Sequence, residues 1–296
     1  MPSSKNSTNR HSIRDSLRAR PKHGRVELAA IDPSDTNGVK RHWADERTLA
    51  DEEHVMQLQD RLHAEAKRSV LIVLQGMDTS GKDGTVRYAL RGLNPQGVRI
   101  VSFKAPSASE RRHDFLWRIK RALPDPGEIV IFNRSHYEDV LIARVKGLAP
   151  PAVIRKRYAI INRFEAAVAR SGTAIVKVYL HISEDEQRRR LVGRLNDPDK
   201  HWKFSDGDVT ERAYWDAYQR AYATAIGRCS SAESPWYVIP ANRKWYRNWA
   251  VTQVLIEEME AMKSNYPHPQ LDVRALKRSL SSNVDKPSGK HTNRAA

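Results

Sequence analysis

The clearest pattern in the chain is a short unbroken apolar run, SVLIVLQG at residues 69–76, followed at once by a glycine-rich stretch. A run of that length without polar alternation predicts a central parallel strand buried on both faces. Ahead of it, residues 44–67 place Leu49, Val55, Leu58 and Leu62 near helical spacing, which predicts an amphipathic helix. Behind it the alternation continues. A helix is expected through TVRYALRGL, a strand over 98–103, a helix over 108–123 and a strand over 128–133. A helix over 152–170 and a strand over 173–182 follow. Ser183 and Glu186 then stand in capping-box spacing at the start of another helix. A last strand falls at 234–241 and a closing helix at 242–262. About five strands alternating with helices predict an α/β fold, a doubly wound parallel sheet with helices on both faces. Ligands of such sheets lie beyond the carboxyl ends of the strands.

The residues with chemical potential collect at that edge. QGMDTSGKDGT (75–85) fits G-x-x-x-x-G-K at Gly76, Gly81 and Lys82, between a strand and a helix, the context a phosphate loop requires. Gly76, Ser80, Gly81 and Gly84 let the backbone cradle phosphate, and Lys82 adds a compact positive charge. The residue after the lysine should be Ser or Thr, whose hydroxyl binds a nucleotide's magnesium. Here it is Asp83, and a second acid, Asp78, sits inside the loop. FNRSHYED (132–139) brings Asn133, Arg134, His136, Glu138 and Asp139 to the same edge, and Arg134 can fork across phosphate oxygens. Lys104 in SFKAPS joins them. In residues 186–208, Arg190 and Arg194 share a helix face. Lys200 and Lys203 follow in a segment broken by Asp197-Pro198 and Asp206-Gly207. The stretch from about 184 to 210 reads as a mobile helical lid over phosphates.

Composition adds boundaries. The chain has 296 residues and a net charge of +16, of which residues 1–43 and 274–296 carry +5 each. Both ends are polar, so residues 1–43 are expected to be a basic, largely flexible extension and 271–296 a basic disordered tail. The phosphate-loop domain is assigned to 44–270. No apolar run of about 18 residues and no signal-like start are present, which predicts no membrane partner and a cytoplasmic protein. A single cysteine, Cys229, excludes an intrachain disulfide and a multi-cysteine metal site. The basic ends suit a polyanion and leave nucleic-acid binding as one reading. That reading does not explain an acidic phosphate loop. An ATP-dependent nucleoside or nucleotide kinase is another, and it predicts Ser or Thr where Asp83 stands.

Five blocks together resemble the polyphosphate kinase 2 family: GMDTSGKDGT, GLNPQGVRIVSFKAPS, FNRSHYEDVL, DPDKHWKFSDGDVTERAYWDAYQRAY and SPWYVIPANRKWYRN. The resemblance runs from about residue 28 to about 265. It implies a P-loop kinase-like fold similar to thymidylate kinase, with a helical lid. It also implies Mg2+-dependent transfer between inorganic polyphosphate and adenine or guanine nucleotides, without a covalent enzyme intermediate. No specific nucleic acid is expected, and a homo-oligomer, dimer or tetramer, is. Met77, Asp83 and the HYED form make the chain look like the branch that phosphorylates both nucleoside mono- and diphosphates. On this basis Asp78, Lys82, Arg134, Asp139, Arg190 and Arg194 are the expected catalytic residues. Asn133, Arg134, His136 and Glu138 are expected at the nucleotide. Gly76, Ser80, Gly81, Lys82, Gly84, Lys104, Lys200 and Lys203 are expected at phosphate. Magnesium answers the puzzle of the acids, because carboxylates are hard oxygen ligands and a polyphosphate chain travels with its cations. Asp78 and Asp83 are therefore the expected metal ligands. One departure from the family pattern is Asn242, where the family usually has Asp.

Overall fold

The computed structural model describes residues 12–204 and 206–282. Its elements are α1 (Ile13–Leu17), α2 (Arg41–Glu65), β1 (Ser69–Gly76), α3 (Lys82–Tyr88), β2 (Val98–Ser102), α4 (Trp117–Lys120) and β3 (Ile129–Asn133). They continue with α5 (Ile142–Val145), α6 (Pro151–Arg170), β4 (Thr173–His181), α7 (Glu184–Leu195), α8 (Asp206–Arg212), α9 (Trp215–Arg228), β5 (Trp236–Pro240), α10 (Lys244–Met262) and α11 (Val273–Ser282). The five strands form one sheet in the order β2-β3-β1-β4-β5, and every pairing is parallel. This is the expected doubly wound α/β architecture. Strand β1 lies at the centre and is buried along its whole length, as its unbroken apolar run requires. The chain leaves β1 towards β2 on one side and later crosses to β4 on the other. The crevice between β1 and its neighbours is therefore the switch point where ligands of such sheets bind. Helices α2 and α10 pack on each other, and α10 also lies against β4 and β5. Helix α6 packs on β4 at the face to which Lys177 points.

Several expected elements differ. Helix α2 buries Ala44, Asp51, Val55, Leu58, Gln59 and Leu62, whereas Leu49 is 77% exposed, so its apolar stripe is narrower than the sequence suggested. The helix expected over 108–123 is reduced to a single turn of 3-10 helix at Glu110–Arg112 and the short α4. Asp114 causes the break, because its side chain accepts from the Leu116 N–H (3.0 Å) and takes a donor a helix would use.

The ends also depart from expectation. Residues 12–43 are not a separate extension: Leu17, Ala19, Val26 and Leu28 are buried. The Ala19 N–H donates to Trp236 O (2.7 Å), and Arg18 pairs with Tyr237, so this segment covers the open edge of β5. Ser12 and the Ile13 N–H bond Glu257 on α10. A few apolar residues spaced through a polar stretch suffice for this, and average composition hides them. Residues 1–11 and 283–296 lie outside the described residues. One compact unit ends at Asn265 and a second begins at Tyr266. Within the second, residues 273–282, expected to be disordered, form α11. The Asp272 side chain accepts from the Ala275 N–H (2.9 Å), and Val273, Leu276 and Leu280 follow at helical spacing.

Candidate active site

Strand β1 delivers the chain into a tight loop that returns as α3. A Cβ on Gly76 would stand 2.5 Å from Ser80 Oγ and 2.9 Å from Leu180 O, so only glycine lets this turn close. Gly81 takes a positive φ of 105°. Lys82 lies half-buried across the loop, its Nζ donating to Gly76 O (2.9 Å) and Met77 O (3.3 Å). Burial and the neighbouring Arg134 lower its pKa, while Asp78, Glu138 and Asp83 raise it. Three side-chain oxygens of the loop, Asp78 Oδ2, Thr79 Oγ1 and Ser80 Oγ, are buried and have no hydrogen-bond partner among the described residues. Buried polar atoms are almost always satisfied in folded proteins, so a cluster of exceptions in one loop marks a ligand site.

Strand β3 brings the second group. The Asn133 side-chain amide donates to Asp83 Oδ1 (2.8 Å), tying the strand end to the first turn of α3. Arg134 is exposed, adopts a left-handed conformation (φ 62°) and donates its N–H to Leu74 O. Glu138 and Asp139 follow in a 3-10 turn. Burial raises both carboxyl pKa values; Arg134 and Lys82 pull Glu138 back down, and Arg157 does so for Asp139. Asp139 pairs with Arg157 at 3.5 Å.

His136 is misplaced in the sequence reading. It is buried beneath this turn, with Nε2 3.2 Å from Glu165 Oε1, and does not line the nucleotide edge. It belongs to an internal network in which Glu165 also accepts from Tyr137 Oη (2.7 Å), Lys177 Nζ (2.5 Å) and Ser234 Oγ (3.1 Å). Burial opposes ionisation of Glu165, but Lys177 and His136 outweigh it and hold the carboxyl well below its usual range.

The arginines of α7 separate into two roles. Arg190 is not a lid residue. Its Nε donates to Glu186 Oε1 (2.6 Å) and Nη1 to Thr79 O (2.9 Å) and Ser80 O (2.8 Å). Nη2 donates to Ala241 O (2.5 Å) and Asn242 O (3.2 Å). All three nitrogens are thus spent on bolting the phosphate loop to the loop after β5. Arg194, one turn on, is different: Nη1 lies 3.8 Å from Asp78 Oδ2 and 3.6 Å from Asp208 Oδ2 and donates to Lys203 O (3.3 Å). It stands at the loop's mouth. Lys200 pairs with Asp197, and Lys203 sits 4.8 Å from the ring centroid of Trp202, itself 78% exposed. Both lysines are solvent-facing, as is Lys104 after β2.

The capping box forms by half. Ser183 Oγ accepts from the Glu186 N–H (3.2 Å), but Glu186 turns to Arg190, and the Ser183 N–H goes to Asn242 Oδ1 (3.0 Å). Asn242 Nδ2 donates to Ser34 Oγ (2.9 Å) and Ser183 Oγ (3.2 Å). The amide keeps the acceptor an aspartate would offer and adds a donor, so the substitution preserves this joint. Two supporting residues were not anticipated. Gln187 donates to Asp78 O (3.2 Å). Arg247 of α10 is buried against Gly81 and Gly84. The signal for Arg247 was present: it falls on the same helical stripe as Ala250, Val251 and Val254, where a charge is out of place.

A central parallel sheet with this strand order and a lysine-bearing glycine loop defines a P-loop kinase-like fold. The comparisons specify it. The polyphosphate kinase 2 family model matches residues 39–267, and the chain belongs to that family. The AMP/ADP-polyphosphate phosphotransferase of Meiothermus ruber is 49% identical over 249 residues, covering 83% of this chain and 93% of that protein. The ADP-polyphosphate phosphotransferase of Rhodopseudomonas palustris is 46% identical over 227 residues, 73% of this chain and 78% of that one. The crystal structure of polyphosphate kinase 2 from Arthrobacter aurescens superposes with a TM-score of 0.88 at 43% identity, over 92% of this chain and 97% of that one.

Proposed function

We infer that this chain is a polyphosphate:nucleotide phosphotransferase that moves phosphate between inorganic polyphosphate and nucleoside mono- and diphosphates, AMP and ADP foremost. The observation that carries the reading is the acidic phosphate loop, in which Asp78 and Asp83 flank Lys82 and Arg194 faces Asp78 across the mouth. Family membership and the names of the relatives above support the same activity. In the forward direction an oxygen of the acceptor's terminal phosphate bonds to the terminal phosphorus of the chain. The bridging P–O bond breaks, and its electron pair stays with the shortened polyphosphate. The attacking oxygen is already ionised at neutral pH, so the acids are not needed as general bases. Positioning and charge neutralisation carry the catalysis.

The donor set also fits Mg2+. Among the described residues no group of three or more His, Cys, Asp or Glu side chains could hold a metal, which leaves a site of one or two carboxylates completed by substrate oxygens and water. Asp78 and Asp83 would hold it, the former with a buried oxygen that lacks a hydrogen-bond partner. Bound there, the metal screens phosphate charge. Lys82 and Arg134 neutralise equatorial oxygens, Asn133 fixes Asp83, and Arg194 links the mouth to the segment carrying Lys200 and Lys203. Glu138 and Asp139 border the acceptor side. The active form is a homo-oligomer, as the family resemblance implies. The test is direct: protein, magnesium and polyphosphate are mixed with AMP or ADP and ATP is measured. A nucleotide kinase of ordinary type would make no ATP from AMP and polyphosphate, and any ATP it made by dismutating ADP would not depend on polyphosphate.

A further inference from the structure

Arg247 is 3% exposed, yet its Nε and Nη2 have one neutral partner, the side-chain oxygen of Asn248, at 3.1 and 2.7 Å. No carboxylate pairs with it among the described residues, whereas the nearby Arg190 has Glu186 at 2.6 Å. The guanidinium packs against the phosphate loop at Gly81 and Gly84. A Cβ on Gly81 would overlap Nη1, and one on Gly84 would sit 3.0 Å from Nη2. The same Gly81 carbon would be 3.6 Å from Arg190 Nη1, so two guanidinium groups converge there. Burial and the like charge of Arg190 lower the Arg247 pKa to about 10, which leaves it a cation at neutral pH. The glycines at 81 and 84 thus make room for a side chain behind the loop as well as for phosphate. A buried cation without a counter-ion opposes folding, and a protein retains one where something else repays it.

We propose that Arg247 is a positioning residue for phosphoryl transfer whose counter-charge is the phosphate chain bound at the loop. It braces the Gly81–Gly84 backbone and adds a fixed positive field that a polyanion satisfies and the ligand-free protein does not. The inference rests on the loop being the phosphate site, and Lys82→Met tests that part separately.

The experiment is thermal unfolding of wild type, Arg247→Met, Arg247→Lys and Lys82→Met, each with and without magnesium tripolyphosphate, alongside steady-state kinetics. Arg247→Met should melt, ligand-free, at or above the wild-type temperature. Its rise in melting temperature on adding tripolyphosphate should fall to less than half, and KM for polyphosphate should increase at least tenfold. Arg247→Lys, which keeps the charge, should retain most of the rise. If Arg247→Met fails to fold, or melts lower while keeping the full ligand-induced rise and an unchanged KM, Arg247 is a structural member and the proposal is wrong. If Lys82→Met keeps the full rise, the fault lies with the assignment of the loop.

Discussion

The floor of the phosphate loop and its mouth are both lined by arginine, and the two sets are held in opposite ways. On the floor, Arg190 donates to four backbone carbonyls and a carboxylate, and Arg247 is packed against glycine backbone. At the mouth, Arg194 faces two acids at 3.6 and 3.8 Å and one carbonyl, on a segment whose remaining cations are exposed. Arg190 and Arg194 are one helical turn apart and identical in chemistry. What separates them is whether their partners are mainly backbone carbonyls or the acids Asp78 and Asp208. Arg190 is therefore expected to govern stability, Arg247 the loop's shape and its hold on phosphate, and the mouth turnover.

The most severe break of the pattern lies between the two regions. On the proposed function, Lys82→Met should lower turnover by roughly a hundredfold or more with the melting temperature preserved, because it removes the loop's cation. Wild-type turnover in a folded variant would dismiss the loop as the reaction centre. Next comes the contrast itself. Arg190→Ala leaves the buried Glu186 with only the exposed Arg189 as its ion-pair partner and loosens two loops, so it should destabilise the fold by about 3 kcal/mol in chemical denaturation. Arg194→Lys should leave stability unchanged and lower kcat about tenfold, since an ammonium cannot reproduce the planar fork. If both variants act on stability alone, the mouth is not catalytic. The smallest effect is expected far from the site. Deletion of residues 1–20 removes the burial of Leu17 and the bonds to Glu257, and should cost about 2 kcal/mol without changing KM once folded. Deletion of residues 283–296 should change neither.

Much of this was legible in the sequence because the signals are local. An apolar run with no alternation, ended by a glycine loop, points to a doubly buried strand, and a lysine in that loop points to a phosphate site. The family blocks supplied the candidate residues for the same reason. The partners were not legible. Arg190 owes its role to Ala241 O, 51 positions away in the chain, and helical spacing groups it with Arg194 regardless. Adjacency in sequence places His136 at the edge with its neighbours. In a 3-10 turn successive side chains diverge, and His136 and Tyr137 turn inward to Glu165 while Glu138 and Asp139 stay half-exposed. The average polarity of segment 12–43 conceals four buried side chains.

The proposed reaction depends above all on the two acids meeting phosphate through a metal. Its sharpest test is a magnesium titration of ATP formation by wild type and Asp78→Asn at saturating polyphosphate and ADP. The amide keeps the size of Asp78 and removes its charge. The half-saturating magnesium concentration should rise at least tenfold in Asp78→Asn, and excess magnesium should recover part of the lost rate. An unchanged magnesium dependence, whatever the rate, would show that Asp78 does not serve the metal and would contradict the explanation of the acidic loop.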